Sequence, residues 1–346
     1  MSGRGTAHAP QLERRSLASG RVSVSVLGFG AATLGNLYSE LTDAEAEAAV
    51  QAALESGVAY FDTAPSYGFG LSEARLGRAL AGRARTAFTL STKVGRRIEI
   101  DAAASEKVNE GFAVSGRRTF FDYSRDGVRR SFDESLQRLN VEYIDTLLLH
   151  DIGRYTHGER HDEVLRQALD EALPAMAELR DSGVVGAIGI GVNEQAVCLD
   201  VMPRFTIDCI MLAGRYTLLE QHGAADVMRQ ARQRDVKVIV AGPYNSGLLA
   251  AASGPGATYN YQAADSDVRE RARKIYAACA VDSIDVGAAA LQLPLAHPAV
   301  VSVVAGQRTV QEVLAAVGRL KERIPASLWE RLRAQGLIEA STVVPS

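Results

Sequence analysis

Four side chains able to hold or move protons stand at or just past the ends of apolar runs. Asp62 closes "VAYFD", Lys93 closes "FTLSTK", His150 closes "YIDTLLLH", and Tyr67 follows Asp62 by five residues in "FDTAPSYG". A carboxylate, an ammonium, a phenol and an imidazole drawn to one place would form an acid/base centre. The phenol is the proton carrier of the set. A tyrosine of unperturbed pKa about 10 is a poor base near neutrality, and an adjacent ammonium favours its phenolate. A carboxylate ending a buried run costs desolvation free energy unless something pairs with it, and Asp62 would hold Lys93 charged and in place. Taken singly, each residue has a plainer reading: Asp62 a turn or cap, Tyr67 an interface aromatic, Lys93 a solvated charge, His150 a core histidine. Their joint placement at successive run ends argues for a site. Tyr123, Tyr155 and His157 share no such alignment and read as substrate-loop contacts.

Positioning these groups requires a scaffold, and the hydrophobic pattern supplies one. Short β-rich runs recur as "VSVLG" near 24, "AYFD" near 60, "FTLSTK" near 90, "YIDTLLLH" near 145, "VGAIGIG" near 187, "IDCIMLA" near 209, "VKVIVAG" near 238 and "AVVSVVAG" near 301. Helical patterns alternate with them. Thr42 and Glu45 form a capping box at "TDAEAEAAVQAALESG", which Gly57 stops, and Thr309 with Glu312 repeats the device at the last expected helix. Eight such units imply parallel crossovers and predict a (β/α)8 TIM barrel rather than an open sheet with edges. The competing doubly wound fold lacks its fingerprint, because "GFGAAT" has Thr33 where the third glycine belongs and "GIGVNE" fails likewise. "RRSLASGRVSVS" reads as an N-terminal hairpin turning at Ser19 and Gly20 and plugging the barrel floor. Long loops follow Lys93, His150 and Pro243, on the C-terminal face where barrel active sites lie.

Of the 346 residues, 47% are hydrophobic and 23% charged, which suits one large catalytic barrel over 15–346 behind a disordered tail over 1–14. Thirty-eight basic and 41 acidic residues leave a net charge of -3, with no electrostatic footprint for nucleic acid or an anionic membrane. Cys198, Cys209 and Cys279 lack zinc-ligand spacing and read as buried thiols, and no metal is expected. No apolar run has signal-peptide or membrane-span length, so a cytoplasmic protein is expected.

"FDTAPSYGFGLSEARLGRAL", "STKVGR", "SLQRLNVEYIDTLLLH" and "GAIGIGVNE" together resemble the aldo-keto reductases, from about Arg15 to about Leu320. The resemblance implies a (β/α)8 barrel binding extended NAD or NADP, with Tyr67 as general acid/base, Asp62 and Lys93 as its modulators, and His150 orienting the substrate carbonyl or hydroxyl. It places Asn193 at the nicotinamide carboxamide, Asn245, Ser246, Gly247 and Leu248 at the pyrophosphate, and Gly306, Gln307, Arg308, Gln311 and Glu312 around the adenosine. Four positions depart from the family pattern: Gly191 and Val192 offer no side-chain hydrogen bond, "IMLAGRY" lacks the usual glutamine, and Ala241 stands where an aromatic stacks on nicotinamide. "HDIGRYTHG" and "VIVAGPYNSGLL" are most similar to the sugar dehydrogenase branch that acts on D-threo-aldoses and L-fucose. The implied activity is oxidation of an aldose hemiacetal at C1 to the lactone, on a small sugar, by a monomer or small homo-oligomer. An NADPH-dependent aldehyde reductase and a pyridoxal 4-dehydrogenase would use the same four groups. A nucleotide-sensing regulatory subunit is the non-enzymatic alternative.

Overall fold

The computed structural model of the chain describes residues 11–104, 111–251, 254, 256, 258–260 and 262–345. Eight parallel strands form a closed barrel: β1 (Leu27–Gly30), β2 (Tyr60–Asp62), β3 (Thr89–Val94), β4 (Ile144–His150), β5 (Val185–Val192), β6 (Cys209–Ala213), β7 (Lys237–Ala241) and β8 (Val300–Gly306). Each pairs with the next, and β8 closes onto β1 through Val303 opposite Leu27 and Gly306 opposite Gly30. Side chains alternate across each strand. Tyr60, Leu148, Met211, Ile239 and Val304 therefore fill the barrel interior, while Phe61, Leu90, Leu147, Ile190 and Val240 face the surrounding helices.

The floor is sealed by the antiparallel hairpin Arg14–Leu17 and Val22–Ser25, whose Leu17, Val22 and Val24 join the interior cluster. Arg15 Nη1 ties it down by donating to the carbonyls of Leu295 and Val300, both at 2.9 Å. The run "VSVLG" is therefore not one strand but straddles two. Ser25 breaks it: its Oγ donates to Leu27 O at 2.7 Å and accepts the amides of Ala59 and Tyr60 at 3.1 Å. Of the expected tail, residues 1–10 lie outside the described residues. Its end is ordered, since Val26 N donates to Glu13 O at 2.9 Å and Arg14 opens the hairpin.

The first helix, Asp43–Glu55, has the full capping box of Thr42 and Glu45. At Val310–Lys321 only half of it forms. Thr309 accepts Glu312 N, but the Glu312 carboxylate accepts Arg308 N at 2.7 Å instead of the cap amide. That helix is not the last, because Ala326–Ala334 follows, entered through Pro325 and buried by Leu328, Trp329 and Leu332. Its proline cap carries no side-chain acceptor, which hid the start from a cap-based reading.

The helix Leu71–Leu80 fastens the segment that carries Tyr67. Ser72 Oγ donates to Ala31 O at 2.6 Å, and the fully buried Glu73 accepts Thr92 Oγ1 and Arg138 Nε, each at 2.6 Å. Arg75 donates to Asp43 Oδ1, Leu34 O and Asn36 Oδ1, fixing the loop after β1. Gly68, at φ 61, lies against Gly35; a Cβ on it would fall 2.4 Å from Gly35 O. The two backbones meet where no side chain fits.

Among the described residues no helix is long and apolar enough to cross a membrane, and no group of three or more His, Cys, Asp or Glu side chains could hold a metal ion. Cys198, Cys209 and Cys279 are buried and unpaired, and burial pushes the Cys279 thiol up to about 12.

Candidate active site

Strand alternation and register bring the four candidates to one mouth. Asp62 pairs with Ser91 across β2 and β3, Lys93 pairs with Leu148 across β3 and β4, and His150 ends β4 opposite Gly191. Tyr60 and Asp62 on β2, and Ser91 and Lys93 on β3, thus stack inward in successive layers. Lys93 Nζ donates to Asp62 Oδ2 and to Thr63 O, each at 2.8 Å, with both side chains nearly fully buried. The other Asp62 oxygen accepts Ser91 Oγ at 2.6 Å, and Tyr60 Oη donates to that serine at 2.9 Å. The buried carboxylate and ammonium each hold a further hydrogen bond besides their own contact, the kind of support under which such a pair is tolerated.

Tyr67 is half-buried above this pair. Its ring faces Lys93 Nζ, which lies 4.7 Å from the centroid, and meets the His150 ring edge-on at 6.1 Å. Phe112 stacks on its other side at 6.1 Å. Burial, then the charges of Asp62 and Asp151, push the phenol well above its usual value, while Arg96 pulls it down. That direction corrects the expectation of a phenol shifted towards neutrality by Lys93, whose ammonium is already matched by Asp62 at 2.8 Å. The phenol is held protonated, a proton donor at neutral pH. Burial, then Lys93 and Arg96, hold His150 well below its ordinary value, so its imidazole is neutral. Its Nε2 lies 3.5 Å from Asp151 Oδ2 and its buried Nδ1 has no protein partner.

Two residues of this mouth, Asp151 and Arg96, escaped the sequence reading. They are joined at 3.0 Å between Asp151 Oδ2 and Arg96 Nη1. Only the position of Asp151, directly after a candidate histidine, signalled it. Arg96 comes from the long loop after β3, which folds into the hairpin Arg96–Ile100 and Arg117–Phe121. Tyr123 is not a substrate-loop contact; it is buried and its hydroxyl donates to the carbonyls of His150 (2.9 Å) and Asp151 (3.0 Å). His157 joins the same clamp through Tyr123 Oη at 3.0 Å, and Tyr155 is exposed.

The candidate cofactor residues divide. Gln307 suits a polar ligand: its side chain is buried with neither Nε2 nor Oε1 bonded to protein, costly to maintain unless another group meets the amide. Gly306 and Gln311 are exposed beside it. Arg308 turns its guanidinium onto Ser39 Oγ and Glu40 O from the loop after β1, and Glu312 is taken up by the Arg308 amide. Asn245, Ser246 and Gly247 run consecutively through the left-handed region, at φ 49, 58 and 88. Ser246 Oγ meets the Tyr38 phenol, again from the β1 loop. The Asn245 side chain is engaged within the fold, its Oδ1 accepting Thr217 Oγ1 at 2.8 Å and its Nδ2 donating one hydrogen to Gly214 O. Leu248 is a core residue whose amide is spent on Asn245 O at 3.2 Å. Asn193 Nδ2 donates to Asp151 Oδ1 at 3.2 Å.

A closed (β/α)8 barrel with acid/base groups at its C-terminal mouth serves many enzyme classes, and it is similarity to known proteins that makes this chain an NAD(P)-dependent oxidoreductase. Residues 26–335 match the Aldo/keto reductase family, and the chain belongs to it. It is 37% identical to pyridoxal 4-dehydrogenase of Microbacterium luteolum over 96% of this chain and 99% of that one. It is also 37% identical to D-threo-aldose 1-dehydrogenase of a Pseudomonas species, over 93% and 97% of the two chains. An aldo-keto reductase of Bacillus halodurans, solved in its holo form, superimposes with a TM-score of 0.73 at 29% identity, covering 96% of this chain and 98% of that one.

Proposed function

We propose that the chain oxidises the hydroxyl-bearing carbon of a cyclic hemiacetal to a lactone, with an aldose oxidised at C1 as the leading substrate. The observation that carries this reading is the near full-length similarity to D-threo-aldose 1-dehydrogenase. The mouth supports it, since His150, Arg96 and Asp151 lie about the phenol, with Asn193 bonded to Asp151, as polar groups suited to a hydroxylated ligand. Tyr67 exchanges the hydroxyl proton, His150 orients the reacting oxygen from its neutral imidazole, and the Asp62–Lys93 pair anchors the floor below the phenol. Bound NAD or NADP supplies the hydride acceptor, with Gln307 and the 245–248 turn on its side of the barrel.

A second reading, pyridoxal as the hemiacetal, is favoured by the equal identity to pyridoxal 4-dehydrogenase and by Phe112 stacked on Tyr67, an aromatic wall suited to a pyridine ring. The deciding experiment scans L-fucose, L-galactose, D-arabinose, pyridoxal and benzaldehyde with NAD and NADP in both directions. Lactone formed from a sugar supports the leading reading, lactone from pyridoxal alone supports the second, and rapid reduction of benzaldehyde with none of the others turned over removes both. Dinucleotide titration of Arg308→Ala reads the cofactor end. Selective loss of NADP marks a guanidinium that leaves Ser39 and Glu40 for a 2'-phosphate, and equal loss of both marks a latch at the adenosine.

A further inference from the structure

Asp151 is held more tightly than a loop carboxylate needs to be. Its backbone lies in the left-handed region at φ 53, fixed by its amide donating to Gly191 O at 2.9 Å and by its carbonyl accepting Tyr123 Oη at 3.0 Å and His157 Nε2 at 2.8 Å. Its side chain is 7% exposed, with Oδ2 on Arg96 Nη1 at 3.0 Å and Oδ1 on Asn193 Nδ2 at 3.2 Å. Arg96 is itself 14% exposed and packs over the Phe121 ring at 5.2 Å. A buried ion pair of this kind is seldom worth more to stability than apolar residues of similar volume. Backbone held in a sparsely populated region by several converging contacts is characteristic of functional sites.

The pair sits where it faces both reacting groups. The charged and titratable groups acting on Tyr67 are Asp62 on β2, Lys93 on β3, Arg96 on the hairpin after β3, and His150 and Asp151 at the end of β4. They form two ion pairs, Asp62 with Lys93 beneath the phenol and Asp151 with Arg96 beside it. We propose that the Arg96–Asp151 pair is a positioning element of the active site, fixing the His150 ring and balancing the charge that surrounds Tyr67 as its proton moves. The two members act in opposite senses. Asp151 favours the protonated phenol, and Arg96 favours the phenolate and keeps His150 neutral.

The proposal rests on Tyr67 as the proton-exchanging group, and Tyr67→Phe separates the two ideas: a variant keeping its rate removes Tyr67 itself, whatever Asp151 does. The test is the pH profile of kcat/KM for oxidation, with NAD or NADP and whichever of L-fucose or pyridoxal is turned over. Asp151→Asn moves the rising limb to lower pH and Arg96→Gln moves it to higher pH, each by on the order of one unit, and the double variant returns towards the parent. Rates that fall with no displacement of the limb, or limbs displaced in the same direction, overturn the proposal. Should either neutral variant fail to fold, Asp151→Glu and Arg96→Lys keep the charges. The limb then stays in place, and a shift with both charges retained overturns the proposal equally.

Discussion

At the residue scale the site turns on one proton. Tyr67→Phe removes the phenol whose ring lies beside both Lys93 and His150, and kcat is expected to fall by about 10²- to 10⁴-fold with dinucleotide binding little changed. Single-turnover rates beside a fluorescence titration check both halves. Because burial and two carboxylates hold the phenol protonated, oxidation, which needs the phenolate, is expected to quicken as pH rises through the alkaline range. Reduction, which needs the phenol, is expected to slow over the same interval. Rates in both directions across pH 6 to about 10 test the sign. Asp62, Lys93 and His150 were legible because each stands at or next to a strand end, where a polar side chain after an apolar run has few plain uses, and Tyr67 because it follows Asp62 by five residues. The state of the phenol was not, since it depends on how completely Asp62 matches Lys93 and on Asp151, which only the folded chain brings near.

At the element scale the Tyr67 segment is held by what lies beneath and beside it. Glu73→Ala takes a buried acceptor from Thr92 and from Arg138, which keeps Ser135 and Glu134 beside it, and a loss of about 1 to 3 kcal/mol in unfolding free energy is expected. Urea titration measures it. Gly68→Ala adds a Cβ against the Gly35 backbone at a positive φ, so the turn carrying Tyr67 must shift; kcat is expected to fall more than KM rises. Strand alternation and the Thr42 box could be read from sequence because they obey local rules. The split at Ser25, the half-formed box at Thr309 and the proline-entered helix Ala326–Ala334 could not, since each is decided by a bond to another part of the chain or lacks a cap side chain. On the phosphate side the sequence shows that Asn245 has a hydrogen-bonding side chain but not that the fold engages it with Thr217 and Gly214.

For the whole molecule, three histidines, two at the mouth and one away from it, are held below their ordinary value: burial dominates at His150, His157 and His297. The unfolded chain binds protons at these rings more readily than the folded one, so stability is present above about pH 6.5 and lost as pH falls through and below it. The shifted carboxylates Asp43, Glu45 and Glu178 titrate lower still, which leaves the interval from about pH 6.5 to 5 to the histidines. The melting temperature is expected to decline across that interval, and His297→Gln, outside the mouth, is expected to flatten part of the decline. A melting temperature constant over that range would contradict the assignment. The barrel floor has a consequence for how the molecule is made. Arg15 leaves the ribosome well ahead of its acceptors Leu295 and Val300, which lie 280 and 285 positions downstream. At translation rates of about 5 to 20 residues per second the gap lasts roughly 14 to 57 s. Throughout it Leu17, Val22 and Val24 lack the wall that Val301 and Val304 later give them, and their protection during synthesis falls to whatever the cell provides at the tunnel exit.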